Sequence, residues 1–252
     1  MRPELFEIFG ISVKGYGLMI AIGIIAAVFL LEKRRTNYGY DEDKIWNMTI
    51  IAIISGVLGG KVLYIITDFK EFISTPFTLE KIGYGFVIYG AIIGGALAIW
   101  LYCRKQKWST LGVFDLVVPT IPLAQGFGRI GCLLAGCCYG APTTLPIGIE
   151  FKNSPFVSAG VHRHPTQIYS AVFDFLLAIF LLWYDKNKKH EEGQLTGLYF
   201  IVYSIGRFIV EFFRVDPRGN VGILSTSQFI AIFTLIFGIG LYNMHKLRKK
   251  SN

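Results

Sequence analysis

Apolar residues fall into long blocks separated by short polar breaks. Runs of roughly 20 residues, the length at which a helix spans about 30 Å of hydrocarbon, recur at about 13–32, 45–67, 83–103, 112–135, 166–185, 194–213 and 225–245. The pattern predicts an all-α integral membrane protein with seven transmembrane helices. The second, fourth and sixth are the most interrupted by glycine or charge. Two external stretches are longer than the topology requires. Residues 68–82 mix aromatics and charges with one proline and are expected to lie along the interface. Residues 136–165 carry turn residues and an expected short strand near Ile147–Phe151, and a loop of this kind commonly covers a binding site. No repeat or low-complexity tract divides the chain, so 1–252 reads as a single polytopic membrane domain.

Composition agrees with that pattern. The chain is 53% hydrophobic and only 17% charged, which a soluble domain of its length would not be. Basic residues then set the orientation. Lys33, Arg34, Arg35 and Lys44 follow the first helix, Arg104, Lys105 and Lys107 the third, Lys186, Lys188 and Lys189 the fifth, and Lys246, Arg248, Lys249 and Lys250 the seventh. These clusters share one side of a seven-span layout, expected to be the cytoplasm, with the N-terminus outside and the C-terminus cytoplasmic. The net charge of +8 is therefore topological, and no nucleic-acid partner is implied. The opening MRPELFEIFGISVKGYGLMIAIG has a long apolar run and no small-residue cleavage site, so the first helix is expected to stay as an anchor.

Charges inside the apolar blocks are the candidate chemistry. Arg129 stands within Gly126-Phe127-Gly128-Arg129-Ile130-Gly131, where a charge costs several kcal/mol and is usually retained for a function. On the sixth helix Arg207, Glu211 and Arg214 are spaced by four and three residues and would share one face, letting Glu211 pair with both arginines. A ligand-free ion-pair network is the plainer reading of that face. Arg129 argues against it, because the group then carries more positive than negative charge, and an anionic lipid phosphate suits arginine's planar fork. Arg163-His164-Pro165-Thr166-Gln167-Ile168-Tyr169 opens the fifth helix, where His164 is either a proton carrier or a capping histidine. Lys61 is deep in its segment, with snorkelling as the plainer account, and Asp174 needs a partner that the sequence does not identify. Cys132, Cys137, Cys138, His162 and His164 show neither CxxC nor HxxxH spacing, so no metal is expected. The vicinal Cys137 and Cys138 would make a strained disulfide and are expected to stay reduced.

The chain resembles the prolipoprotein diacylglyceryl transferase family. The match runs from Tyr16-Gly17-Leu18-Met19 through Gly59-Gly60-Lys61, Gly128-Arg129-Ile130-Gly131, Gly140 and His164-Pro165-Thr166-Gln167-Ile168-Tyr169, and ends at Arg207-Phe208-Ile209-Val210-Glu211-Phe212-Phe213-Arg214. That resemblance implies a bacterial cytoplasmic-membrane enzyme, active toward the outer face, that transfers the diacylglyceryl group of phosphatidylglycerol to the lipobox cysteine thiol of a prolipoprotein signal peptide. Glycerol phosphate is released, and no cofactor is implied. Arg129, Arg207, Tyr89 and His164 are then the expected catalytic residues. Arg129, Arg207, Glu211, Arg214, Tyr16, Lys61, Gln167 and Gly140 are the expected substrate-binding ones. Several positions depart from the family pattern. Cys132, Ala135 and Cys137 stand where asparagines and a glutamate typically follow the arginine, Tyr89-Gly90-Ala91 where histidine often precedes two glycines, Lys61 where arginine is common, and Ser170 where glutamate often follows the tyrosine. The alternatives are a paralogue using the same donor with another acceptor and a non-enzymatic lipid carrier or flippase.

Overall fold

The computed structural model describes residues 4–8, 11–74, 85–216 and 219–251. Helices dominate it: α1 Gly15–Tyr38, α2 Glu42–Thr67, α3 Phe69–Ser74, α4 Ile88–Gln106, α5 Thr110–Val117, α6 Thr120–Ala135, α7 Thr166–Asn187, α8 Gln194–Glu211 and α9 Thr226–Ser251. Among the described residues, small antiparallel pairs join them, β1 Glu4–Ile8 with β2 Ile11–Lys14, β3 Ile149–Glu150 with β4 His162–Arg163, and β5 Asn220–Val221 with β6 Leu224–Ser225. The strand expected near Ile147–Phe151 is β3. Of the stretch 68–82, Phe69–Ser74 is helical, and 75–82 lies outside the described residues.

Among the described residues, five helical segments are long and apolar enough to cross a membrane: α1, α2, Thr110–Ala135 (α5 with α6), α7 and Thr226–Met244 of α9. The other two expected spans are helical as well. They fall short in apolar character because α4 ends in Arg104 and Lys105, and α8 carries Gln194, Arg207 and Glu211. Large apolar side chains point outward along these helices, among them Ile25, Phe29, Leu58, Ile93, Leu176 and Ile236. Such an exterior is what lipid, rather than water, tolerates.

The chain divides into two compact units, Met1–Leu31 with Phe114–Asn252, and Glu32–Val113. In the second unit α2 packs on α4 through small residues. A Cβ on Gly59 would strike the Gly90 carbonyl, and one on Gly94 would strike the Ser55 carbonyl, so these glycines set how closely the two backbones approach. The first unit packs α6 on α7, α7 on α8 and α8 on α9. Its centre holds Val118, Leu177, Leu181, Leu195 and Tyr199. One buried acid organises the start of α8. The residue before that helix is Gly193, which has no side chain to cap with. Asp115 on α5 supplies the cap instead, accepting hydrogen bonds from Gly193 N–H (2.7 Å), Thr196 N–H (2.8 Å) and the Thr196 hydroxyl (2.6 Å).

Candidate active site

Helical spacing brings three helices of the first unit to one small cavity. Arg129 enters it from α6, Ser170, Phe173 and Asp174 from α7, and Tyr203, Gly206, Arg207 and Val210 from α8. The residues from α7 lie three or four apart, as do those from α8, so each set forms one face. Glycine keeps the helices close. The Phe175 ring fills the space where Gly126 would carry a Cβ, and Phe173 does the same at Gly206. Gly128, beside Arg129, has open space instead.

The two arginines are held differently. The Arg207 guanidinium forms an ion pair with Glu211 on its own helix (2.7 Å) and donates a hydrogen bond to the Ser227 hydroxyl on α9 (2.8 Å). Arg129 makes no hydrogen bond and no ion pair within 4.0 Å among the described residues. Asp174 is buried in the same cavity, also without a direct partner, and is close enough to both arginines to interact electrostatically. A carboxylate left isolated in an apolar helix would be costly, and the neighbouring arginines reduce that cost.

The expectation that Glu211 pairs with both helix-six arginines is corrected. α8 ends at Glu211, so Arg214 lies beyond the helix and off its face. It forms a bidentate pair with Asp216 instead, both bonds at 3.0 Å. The charge balance changes with it. Arg129, Arg207 and Arg214 face Glu211, Asp216 and Asp174, so the reason to look for an anion is no longer a surplus of arginines. It is that Arg129 alone of the three has no anion in contact with it.

The loop 136–165 closes over the ends of α7 and α8. Gly140 bridges to Arg214, with Gly140 N–H on the His164 carbonyl (3.0 Å) and Ala141 N–H on the Phe213 carbonyl (2.8 Å). A Cβ on Gly140 would lie 2.6 Å from the His164 Cβ and 2.7 Å from the Phe213 carbonyl, so this glycine is required by the close approach of main chains. His164 Nδ1 is 3.1 Å from the Tyr169 hydroxyl, and its ring packs against Phe213. Pro165 is the residue before α7 rather than its first member. Thr166 and Gln167, at the start of α7, donate to the carbonyls of Cys138 (2.6 Å) and Cys137 (2.5 Å). The buried Gln167 Oε1 accepts no hydrogen bond.

Tyr16 is half-exposed on α1 beside Gly131 of α6. Lys61 and Tyr89 belong to the second unit, where Lys61 Nζ lies 5.2 Å from the Tyr64 ring centre and Tyr89 occupies the first turn of α4. Sequence reasoning missed the parts played by Ser227 and Asp216, and it had no partner for Asp174. The cysteines also behave differently from their spacing. The Sγ atoms of Cys132, Cys137 and Cys138 lie within 4.8 Å of one another. Their signal was the left-handed turn after α6, at Gly136 (φ 74°) and Cys138 (φ 64°), which folds the chain back on its own helix.

Long apolar helices that enclose two arginines and a buried acid define a multi-pass membrane protein with a charged site among its helices. The prolipoprotein diacylglyceryl transferase model matches residues 3–244, and the chain belongs to that family. It is 60% identical over 250 residues to the phosphatidylglycerol--prolipoprotein diacylglyceryl transferase of Clostridium tetani (strain Massachusetts / E88), covering 99% of this chain and 100% of the relative. It is 59% identical over 249 residues to the Clostridium perfringens (strain 13 / Type A) protein of the same name numbered 2, covering 98% and 97%. The similarly named protein of Clostridioides difficile (strain 630) is 34% identical over 253 residues, covering 100% and 98%.

Proposed function

We propose that this protein transfers the diacylglyceryl group of phosphatidylglycerol to the lipobox cysteine thiol of prolipoproteins, forming a thioether and releasing glycerol phosphate. Membership of the transferase family and 60% identity to a relative of that name support the reaction. The observation that carries the site is Arg129, a guanidinium facing a cavity among the helices without an anion in contact with it. The lipid phosphate is the missing partner in this reading. As the bond between the glycerol carbon and the phosphate oxygen breaks, negative charge grows on that phosphate. Arg129 and Arg207 stabilise it where the dielectric is low and such interactions count most. Glu211 and Ser227 hold Arg207 in position, and Arg214 adds positive potential from the loop side.

The acceptor thiol has an ordinary pKa of about 8.5, so only a few per cent is thiolate at neutral pH. His164 and Tyr89 are the side chains proposed to take its proton. Gln167 and Gly140 serve the site through the loop main chain, and Tyr16 and Lys61 are proposed to line the lipid's path. On the same proposal, 1–252 is one polytopic domain of the bacterial cytoplasmic membrane, with seven spans, the N-terminus outside and the site toward the outer face.

The direct test incubates the purified protein with phosphatidylglycerol and a lipobox peptide, then weighs the peptide and measures glycerol phosphate. A mass gain of one diacylglyceryl group with matching release is expected. Lipid movement without glycerol phosphate would replace this reading with a carrier. An unmodified thiol beside a modified second nucleophile would replace it with a paralogue of different acceptor.

A further inference from the structure

We propose that Cys132, Cys137 and Cys138 form a three-thiolate zinc site whose fourth position takes the acceptor thiol. The second half of this inference rests on the transfer reading; the metal site stands without it.

The backbone builds the cluster. α6 stops at Ala135, Gly136 adopts a left-handed conformation, and its N–H returns to the carbonyls of Cys132 and Leu133. Cys138 is also left-handed, a conformation that a residue with a side chain adopts at a cost. These two turns bring Cys137 and Cys138 back beside Cys132, with the three Sγ atoms within 4.8 Å of one another. Thiolates bound to zinc at about 2.3 Å in tetrahedral geometry stand about 3.8 Å apart, so side-chain rotations suffice to close the site. Thr166 and Gln167 fix the carbonyls of Cys138 and Cys137, which leaves rotation about the side-chain bonds as the main freedom. Cys132 is buried and the other two are half-buried, so an ion can reach them.

Charge and ligand count point to zinc with an open position. Sulfur ligands select zinc and other thiophilic ions over magnesium or calcium. Three thiolates with one zinc carry a net negative charge, and Arg129, one helical turn before Cys132, and Arg214 are both close enough to Cys138 to offset it. No further histidine, cysteine or carboxylate among the described residues joins the group. Three protein ligands with one position left is the pattern of zinc sites that act on a ligand, whereas structural sites are closed by four. A thiol bound there gives its proton to the acceptor proposed above, His164 or Tyr89, and stays as thiolate. Its sulfur pair then forms the bond to the glycerol carbon, the carbon–oxygen bond to phosphate breaks, and that electron pair leaves on the phosphate oxygen. Zinc keeps its oxidation state. Zinc lowers the pKa of a thiol bound to it, so the proton acceptor proposed above, His164 or Tyr89, need only be a weak base.

The test starts from the full chain purified in detergent with a thiol reductant and no chelator. Elemental analysis is expected to find about one zinc per chain. Cys132→Ser, Cys137→Ser and Cys138→Ser should each fall below about a tenth of that, while Cys103→Ser, at the end of α4, should keep it. Zinc-free wild type with all cysteines titratable by a thiol reagent overturns the site, as does a disulfide within the triad in protein taken directly from membranes. Cobalt-loaded protein should shift its visible spectrum on adding a lipobox-cysteine peptide and not its serine counterpart. An unchanged spectrum overturns the open position. Transfer at full rate by zinc-free protein overturns the catalytic role while leaving the transfer reading intact. Zinc-loaded protein that binds the peptide but makes no thioether retains the site and refutes the transfer.

Discussion

Asp115 and Asp174 are both acids in apolar helices of the same unit, exposed by only 1% and 2%, so burial alone does not distinguish them. Their partners do. Asp115 accepts three hydrogen bonds, two from the main chain at the start of α8 and one from Thr196, with His190 at 4.0 Å. Asp174 has none within bonding distance and instead faces a cavity shared with Arg129 and Arg207. A buried charge whose bonds are complete is part of the architecture. One that is left incomplete beside others of the same kind marks a place where something else binds.

The strongest way to break this contrast is at the arginines. Arg129→Ala and Arg207→Ala are expected to lower thioether formation by roughly a hundredfold to a thousandfold, the usual cost of removing a donor to a developing anion. The thermal midpoint of Arg129→Ala should fall only slightly, because no hydrogen bond or contact ion pair is lost and Arg207 still faces Asp174. If Arg129→Ala instead lowers the thermal midpoint sharply while the folded fraction keeps full activity, the arginine is structural and the contrast fails. Asp115→Ala comes next and should destabilise by about 2–4 kcal/mol through loss of a buried cap, with the folded fraction keeping its activity. Denaturation in detergent together with an activity assay checks both halves. Asp174→Asn should change stability by less than about 1 kcal/mol, since no hydrogen bond is broken. A loss as large as that of Asp115→Ala would place both acids in the same class.

The smallest effect is a pH dependence at the satisfied site. His190 lies outside the apolar spans, and its pKa is raised, first by its bond to Asp185 and then by the charge of Asp115. The protonated form is thus favoured by folding. Its stabilisation is complete below the ordinary histidine value of about 6.5 and is lost as pH rises through the raised one. The midpoint difference between wild type and His190→Gln should therefore shrink on going from about pH 6 to about pH 9. A constant difference would mean that the imidazole acts by packing alone.

The long apolar blocks, the arginines and the start of α7 just after Pro165 were legible because each depends on residues near one another in the sequence. Arg129 announced itself by its cost in an apolar run, and Arg207 with Glu211 by a four-residue spacing that held. Arg214 did not follow the same rule, because the helix stops before reaching it, and nothing in the spacing marks that stop. The partners of Asp174 come from two other helices, and Asp115 caps a helix that begins 78 residues later in its hydrogen-bond pattern, so neither could be read locally. The cysteine cluster failed for a related reason. Ligand spacing rules presume ordinary turns, and left-handed residues on either side of Cys137 defeat them.

The grip of Thr166 and Gln167 on the loop has one more consequence. Both donate to carbonyls, atoms that every amino acid carries. The positions of residues 137 and 138 are therefore secured without regard to what their side chains are. A scaffold of this kind behaves as a socket, in which lineages can exchange an amide, an acid or a thiol beside the same arginine without redesigning the surrounding frame. Chemical novelty in this family then requires few substitutions, at addresses the backbone has already reserved.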